Sequence, residues 1–76
     1  MNLYPRLRDL RNDKELMQKE VAALLNIDQR VYSNYETGKR EIPVRFLIIL
    51  ADFYDVSVDY IVGRTNIIAP YGRKKR

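Results

Sequence analysis

The amino-acid sequence predicts an all-α fold of five short helices followed by a basic tail, and three observations predict it. Apolar residues recur at three- and four-residue spacing in successive stretches between Leu3 and Tyr54. Residues that start or stop helices, among them Pro5, Asn26, Asp28, Gly38, Pro43, Ser57 and Gly63, separate those stretches at short intervals. The single alternating run, Val56, Val58, Tyr60 and Val62, offers one strand without a partner, and a lone strand is not stable.

Leu3, Leu7 and Leu10 fall at i, i+4 and i+7, with Arg6, Arg8 and Asp9 on the other side. This is the stripe of an amphipathic helix that begins near Tyr4 and Pro5 and ends around Lys14. A second, short helix starts at Gln18 and runs through strong helix formers to Leu25, with Val21, Leu24 and Leu25 sharing a face. Asn26 tolerates the left-handed conformation in which helices often stop, and the Asp28 carboxylate can accept N–H bonds from a following helix. Asn26-Ile27-Asp28 is therefore expected to be a tight turn. The third helix extends from residue 29 to about residue 37 with Tyr32 and Tyr35 inward, and Gly38 closes it. Lys39 and Arg40 then lie near a helix C-terminus, where cations are favoured. Pro43 suits the first turn of a fourth helix, whose Leu47, Leu50, Ala51 and Tyr54 repeat at helical spacing up to Asp55. Ser57 is placed to cap a fifth, with Asp59 near its positive end and Gly63 just past its end. Residues 64–76 show no periodicity. The expected organisation is one domain over residues 1–63 and an apolar, then basic, mobile tail over 64–76.

Composition narrows the function classes. The 76 residues form one small domain, which buries only about 60 to 65% of its unfolded surface, so the core is a single one. The chain has no cysteine and no histidine, which removes disulfides, thiolate and imidazole metal sites, and the usual nucleophile-base pairs. The acidic residues are scattered over separate helices, so no catalytic centre, metal or cofactor is expected. The longest apolar run, residues 46–51, is far shorter than the ~18 to 20 residues that cross a bilayer. The N-terminus lacks the basic-then-apolar order of a signal peptide. The reading is a cytoplasmic binding protein with no membrane segment.

The net charge is +4, but its distribution matters more than its sum. Up to Gly63 there are nine basic and ten acidic residues, whereas the tail carries five basic residues and no acid. Within the body, residues 1–40 hold eight basic against six acidic residues, and residues 41–63 hold one against four. The N-terminal half is the better candidate to face phosphate. A body this close to neutral argues against a non-specific nucleoid-type binder.

Two short helices joined by a three- or four-residue turn form the layout in which the second helix enters the DNA major groove, roughly 12 Å wide. The polar face of the third helix carries Gln29, Arg30, Ser33 and Asn34. Glutamine and asparagine amides pair with adenine and arginine with guanine.

These residues sit within a longer pattern. Gln18-Lys19-Glu20-Val21-Ala22, Asn26-Ile27-Asp28, Ser33-Asn34-Tyr35-Glu36-Thr37-Gly38-Lys39-Arg40, Ile42-Pro43 and the run from Val56 to Gly63, in that order and spacing, resemble the Cro/C1-type (XRE-like) helix-turn-helix family. With Leu7, Leu10 and Arg11 ahead of it, the match covers about four-fifths of the chain. The resemblance implies a five-helix, lambda-repressor-like DNA-binding domain that regulates transcription, more often as a repressor, on double-stranded DNA. One such module makes few contacts, so a homodimer on a palindromic operator is expected, with half-sites roughly 34 Å apart. The resemblance implies base contacts from Gln29, Arg30 and Asn34, and phosphate contacts from Gln18, Ser33, Lys39 and Arg40. It also implies a buried ion pair between Arg11 and Glu36, joining the first helix to the end of the third.

Three positions depart from the family pattern. Asn26 stands where glycine is usual, Met17 where a serine or threonine caps the second helix, and Tyr32 where the core is usually aliphatic. Asparagine keeps the turn feasible, the missing cap costs about 0.5 to 2 kcal/mol, and a buried Tyr32 hydroxyl needs a partner. Ile67, Ile68 and Tyr71 otherwise have no core to join and are the candidate dimer surface. The basic end, residues 72–76, is either a phosphate clamp or a solvated terminus. The runner-up function is a helix-turn-helix scaffold that binds a protein partner, as an antitoxin or an anti-repressor target does. A polar third-helix face argues for DNA instead.

Overall fold

The computed structural model describes residues 4–68. Within them the chain forms five helices and no strand: α1 (Pro5–Asp13), α2 (Gln18–Leu25), α3 (Gln29–Glu36), α4 (Val44–Tyr54) and α5 (Val58–Ile61). The all-α fold expected from the sequence is the fold observed. α2 packs against α3, α1 touches α3 and α5, and α5 joins α1 to α4. Leu3, expected to open the first apolar stripe, lies outside the described residues, as do Tyr71 and the basic terminus.

One core runs through all five helices. Leu7 and Leu10 enter it from α1, Val21, Ala22 and Leu25 from α2, Tyr32 and Tyr35 from α3, Leu50, Ala51 and Tyr54 from α4, and Ile61 from α5. Each fully buried aliphatic side chain such as Leu7 or Leu50 contributes about 1.5 to 3 kcal/mol relative to exposure. The expected inward face of α2 needs one correction, because Leu24 is 41% exposed and Ala22 takes its place beside Val21 and Leu25. Residues 21, 24 and 25 and residues 21, 22 and 25 span equal arcs of about 100° on a helix, so the periodicity alone does not choose between Leu24 and Ala22; the packing of α2 does.

All five helices stop in the same way. The backbone turns left-handed at Glu15, Asn26, Gly38, Asp55 and Gly63. After each turn an N–H reaches back to a carbonyl five residues earlier: Leu16 to Arg11, Ile27 to Ala22, Lys39 to Asn34, Val56 to Ala51 and Arg64 to Asp59. This is the Schellman arrangement, which satisfies carbonyls that the helix end leaves unpaired. Asn26 does adopt the left-handed turn, at φ 59°. Asp55 ends α4 where the sequence pattern placed its end, whereas Glu15 was legible as a left-handed stop only from the structure, because glutamate does not favour a positive φ as glycine or asparagine does.

Starts are more varied. Asp28 Oδ1 accepts the Arg30 N–H at 2.7 Å, and Ser57 Oγ accepts that of Tyr60 at 2.9 Å. At α2 Met17 contributes no side-chain cap, but Glu20 Oε1 accepts the Met17 N–H at 2.7 Å. Half of a capping box is thus present, which offsets part of the expected cost. Pro43 precedes α4 instead of entering its first turn: its ψ of 147° is extended. Its carbonyl accepts the N–H groups of Phe46 and Leu47, so it works as a cap through its backbone alone.

Residues 64–68, the first part of the segment read as a tail, make contacts with the body. The Arg6 guanidinium donates to the carbonyls of Tyr60 and Thr65 at 2.8 and 2.5 Å and to Asn66 Oδ1 at 2.6 Å. It also lies 4.0 Å from the centroid of the Tyr60 ring. The Ser57 N–H donates to the Ile68 carbonyl at 3.3 Å. One cation on α1 therefore gathers α5 and the segment after it.

Candidate nucleic-acid interface

The α2–α3 turn sets the direction of everything on α3. Asn26 ends α2, Asp28 caps α3 two residues later, and Tyr32, Tyr35 and Glu36 bury the inner face. Rotation of about 100° per residue then places Gln29, Arg30, Ser33 and Asn34 together on the outer face. Gln29 and Arg30 are exposed, and Ser33 and Asn34 are half-buried. Gln18 at the start of α2 joins them, since Gln18, Asp28, Gln29, Arg30 and Ser33 line one open groove.

The side chains on this face are unengaged. Gln29, Arg30, Ser33 and Asn34 make no side-chain hydrogen bond to another described residue, whereas their carbonyls are used inside the helix end. Lys39 and Arg40 follow, exposed, with their N–H groups bonded to the Asn34 carbonyl at 2.9 and 3.2 Å. Donors and acceptors with no internal partner exchange only water for an external one, and no bond within the protein has to break.

Behind this face sits Glu36, fully buried, and it organises three elements. Arg11 from α1 meets it as a fork, Nε to Oε2 at 2.6 Å and Nη2 to Oε1 at 3.1 Å. Arg11 Nη1 also donates to the Leu16 carbonyl at 2.8 Å, fixing the loop between α1 and α2. Gln18 Nε2 donates to Glu36 Oε1 at 3.1 Å. Arg8 stands further off, with Nε 3.7 Å from Oε1 and its own side chain 51% exposed. Burial pushes the Glu36 carboxyl up, but the hydrogen bonds from Arg11 and Gln18 more than reverse this and hold it below the usual carboxylate range. The hydrogen bond to Glu36 likewise raises Arg11 against the desolvation that opposes it.

Gln18 is therefore not a loose surface amide. Its bond to Glu36 uses one of two N–H donors and orients the amide at the mouth of the groove. The position was legible in the sequence; the link to Glu36 was not, because it joins residues 18 apart. Arg6 was missed for the same reason, its partners lying 54 to 60 residues away.

Two tyrosines complete the buried surroundings. Burial pushes the phenol of Tyr32 far above its ordinary range, reinforced by the negative Glu36 nearby. The same two causes push Tyr54 up to about 12. Neither hydroxyl closes a hydrogen bond of acceptable geometry with a described residue, so the influence of Glu36 on Tyr32 is one of proximity, not of a formed bond. The partner expected for a buried Tyr32 hydroxyl is thus not among the described residues.

Among the described residues no three acidic side chains converge as a metal site would require. Among the described residues, too, no helix is long and apolar enough to cross a membrane. The arrangement has polar groups outward and a neutralised ion pair behind them.

Comparison with known proteins agrees with this geometry. A family model described as helix-turn-helix matches residues 7–61. The chain is 40% identical over 70 residues to an uncharacterized HTH-type transcriptional regulator, YobD, of Bacillus subtilis (strain 168), covering 92% of this chain and 62% of that protein. It is 37% identical over 67 residues to the HTH-type transcriptional regulator ImmR of the same organism, covering 88% and 53%. A crystal structure of a transcriptional regulator from Listeria innocua superimposes with a TM-score of 0.72 at 27% identity, over 92% of this chain and 59% of that one. The chain thus spans between about half and three-fifths of the length of these relatives. By the matched model, by identity over most of its length and by the layout of α2 and α3, the chain belongs to the Cro/C1-type (XRE-like) helix-turn-helix family.

Proposed function

We propose that this chain is a sequence-specific, double-stranded DNA-binding regulator of transcription, a repressor, which works in the cytoplasm and binds without catalysing. The observation that carries the reading is the outer face of α3, where Gln29, Arg30, Ser33 and Asn34 stand exposed or half-buried with no internal hydrogen-bond partners. Arg30 pairs with guanine, and Gln29 and Asn34 with adenine, when α3 lies in the major groove. Gln18, Ser33, Lys39 and Arg40 bond phosphates and set the register. Gln18 can do so with its second N–H while the first stays on Glu36.

One such module makes few contacts, so the operator is palindromic and the protein a homodimer, with half-sites roughly 34 Å apart. Ile67 and Ile68, 62% and 53% exposed, belong to the proposed dimer surface, together with Tyr71 outside the described residues. Arg6 holds that segment against α5.

Selection of random duplexes against the purified protein tests the reading, repeated with Arg30→Ala and Asn34→Ala. A palindromic consensus that relaxes at separate positions in the two variants is the expected result. Failure to enrich any sequence at low salt, where phosphate contacts are strongest, overturns it in favour of a protein partner.

A further inference from the structure

The geometry points to Arg8 as a further phosphate-binding residue, held ready beside Gln18 by Glu36 and released onto the DNA backbone when α3 enters the groove. The inference rests on the DNA-binding reading above and extends it to a residue of α1.

Arg8 and Arg11 are three residues apart on α1 and so share a face. Both reach Glu36, but in different ways. Arg11 takes both carboxylate oxygens at hydrogen-bond distance, with its side chain 14% exposed. Arg8 arrives at an oxygen that already accepts from Arg11 and Gln18, remains at 3.7 Å and leaves half of its side chain in solvent. One carboxylate faces two guanidiniums, and Arg11 has neutralised it. The charge of Arg8 is the surplus.

That surplus is well placed. Arg8 Nε and Gln18 Nε2 lie within about 7 Å of each other, because they approach the same Glu36 Oε1 at 3.7 and 3.1 Å. A backbone phosphate bonded by the Gln18 amide is therefore within reach of a flexible arginine. Leaving Glu36 breaks no hydrogen bond, since 3.7 Å is too long for one, and an ion pair this exposed contributes little to folding. A phosphate offers Arg8 what Glu36 does not: unshared acceptor oxygens and the release of a condensed counterion.

The test is the salt dependence of binding to the selected duplex between 50 and 200 mM salt, followed by fluorescence anisotropy. One lost phosphate contact flattens the slope of log K against log salt by about 0.9, so the advantage of the parent over Arg8→Ala shrinks about 3.5-fold across that range. Arg8→Lys restores the parent slope, and the base consensus of Arg8→Ala is that of the parent. Thermal unfolding midpoints of Arg8→Ala and Arg8→Gln matching the parent show that both remain folded, and Arg8→Gln repeats the slope measurement. A slope unchanged in Arg8→Ala and Arg8→Gln overturns the proposal, as does an altered consensus without a change of slope. If the parent itself selects no duplex, the DNA-binding reading fails and takes this inference with it. That outcome is distinct, because it appears without any substitution.

Discussion

Replacing Arg11 by methionine tests the central energetic claim, that the Glu36 carboxylate is tolerable inside this protein only because Arg11 meets it. The variant keeps the apolar stem of the side chain and removes three hydrogen bonds, two to Glu36 and one to the Leu16 carbonyl. Glu36, with a side-chain exposure of 0%, is left with Gln18 and a distant Arg8. Breaking a buried pair from one side costs about 3 to 5 kcal/mol. A domain of this size has roughly 4 to 11 kcal/mol in all, so the loss is a large part of the total. The double variant Arg11→Met, Glu36→Met removes the stranded charge and is expected to be more stable than Arg11→Met alone. Urea unfolding at pH 7 followed by circular dichroism gives the three free energies, and the pH dependence supplies a second check. In the parent, the Glu36 pKa is depressed on folding. Its contribution is present above the unfolded carboxylate pKa, near 4.3, and is lost as pH falls through the lower folded value. In Arg11→Met burial acts without the arginine and raises that pKa, so the variant recovers stability relative to the parent as pH falls from 7 towards 4. A cost below about 1 kcal/mol for Arg11→Met at pH 7, or a gap that does not narrow with acid, refutes the reasoning.

The remaining predictions concern other parts of the fold. Glu15→Gly relieves a left-handed backbone at φ 57° and is expected to raise stability by about 1 kcal/mol, or about 4 to 8 °C in the thermal midpoint for a domain of this size; no rise contradicts the Schellman assignment at α1. Arg6→Met frees residues 64–68 from their three hydrogen bonds, and trypsin then cleaves after Arg64 faster than in the parent, while cleavage after Arg30 is unchanged. Tyr54→Phe removes a buried hydroxyl with no partner among the described residues, so it is neutral or stabilising by up to about 1 kcal/mol in urea unfolding. In the parent the Tyr54 pKa is raised to about 12. Its contribution is therefore intact below the unfolded value near 10 and is lost as pH rises from there towards 12. Tyr54→Phe should soften that alkaline loss.

Most of the architecture was legible in one dimension because its causes are local. Helical periodicity placed α1 to α4, and the side chains of Asp28 and Ser57 act on N–H groups two and three residues away. The outer face of α3 follows from the helical repeat once Tyr32 and Tyr35 are known to point inward. The candidate site could be proposed from the sequence for the same reason, since its residues fall between Gln18 and Arg40, on α3, at the start of α2 and just past the end of α3.

The tertiary structure decided what depends on distance in the sequence. It joined Arg11 and Gln18 to the same Glu36 carboxylate, tied Thr65 and Asn66 to Arg6, exposed Leu24 in favour of Ala22, and left Arg8 with no full partner. Sequence pattern by itself determined which residues form helices and which faces are polar, because backbone geometry repeats every few residues. Which buried charge meets which, and which cation is left over, was set only when α1 packed against α3, since an ion pair exists through a distance in space that no spacing along the chain encodes.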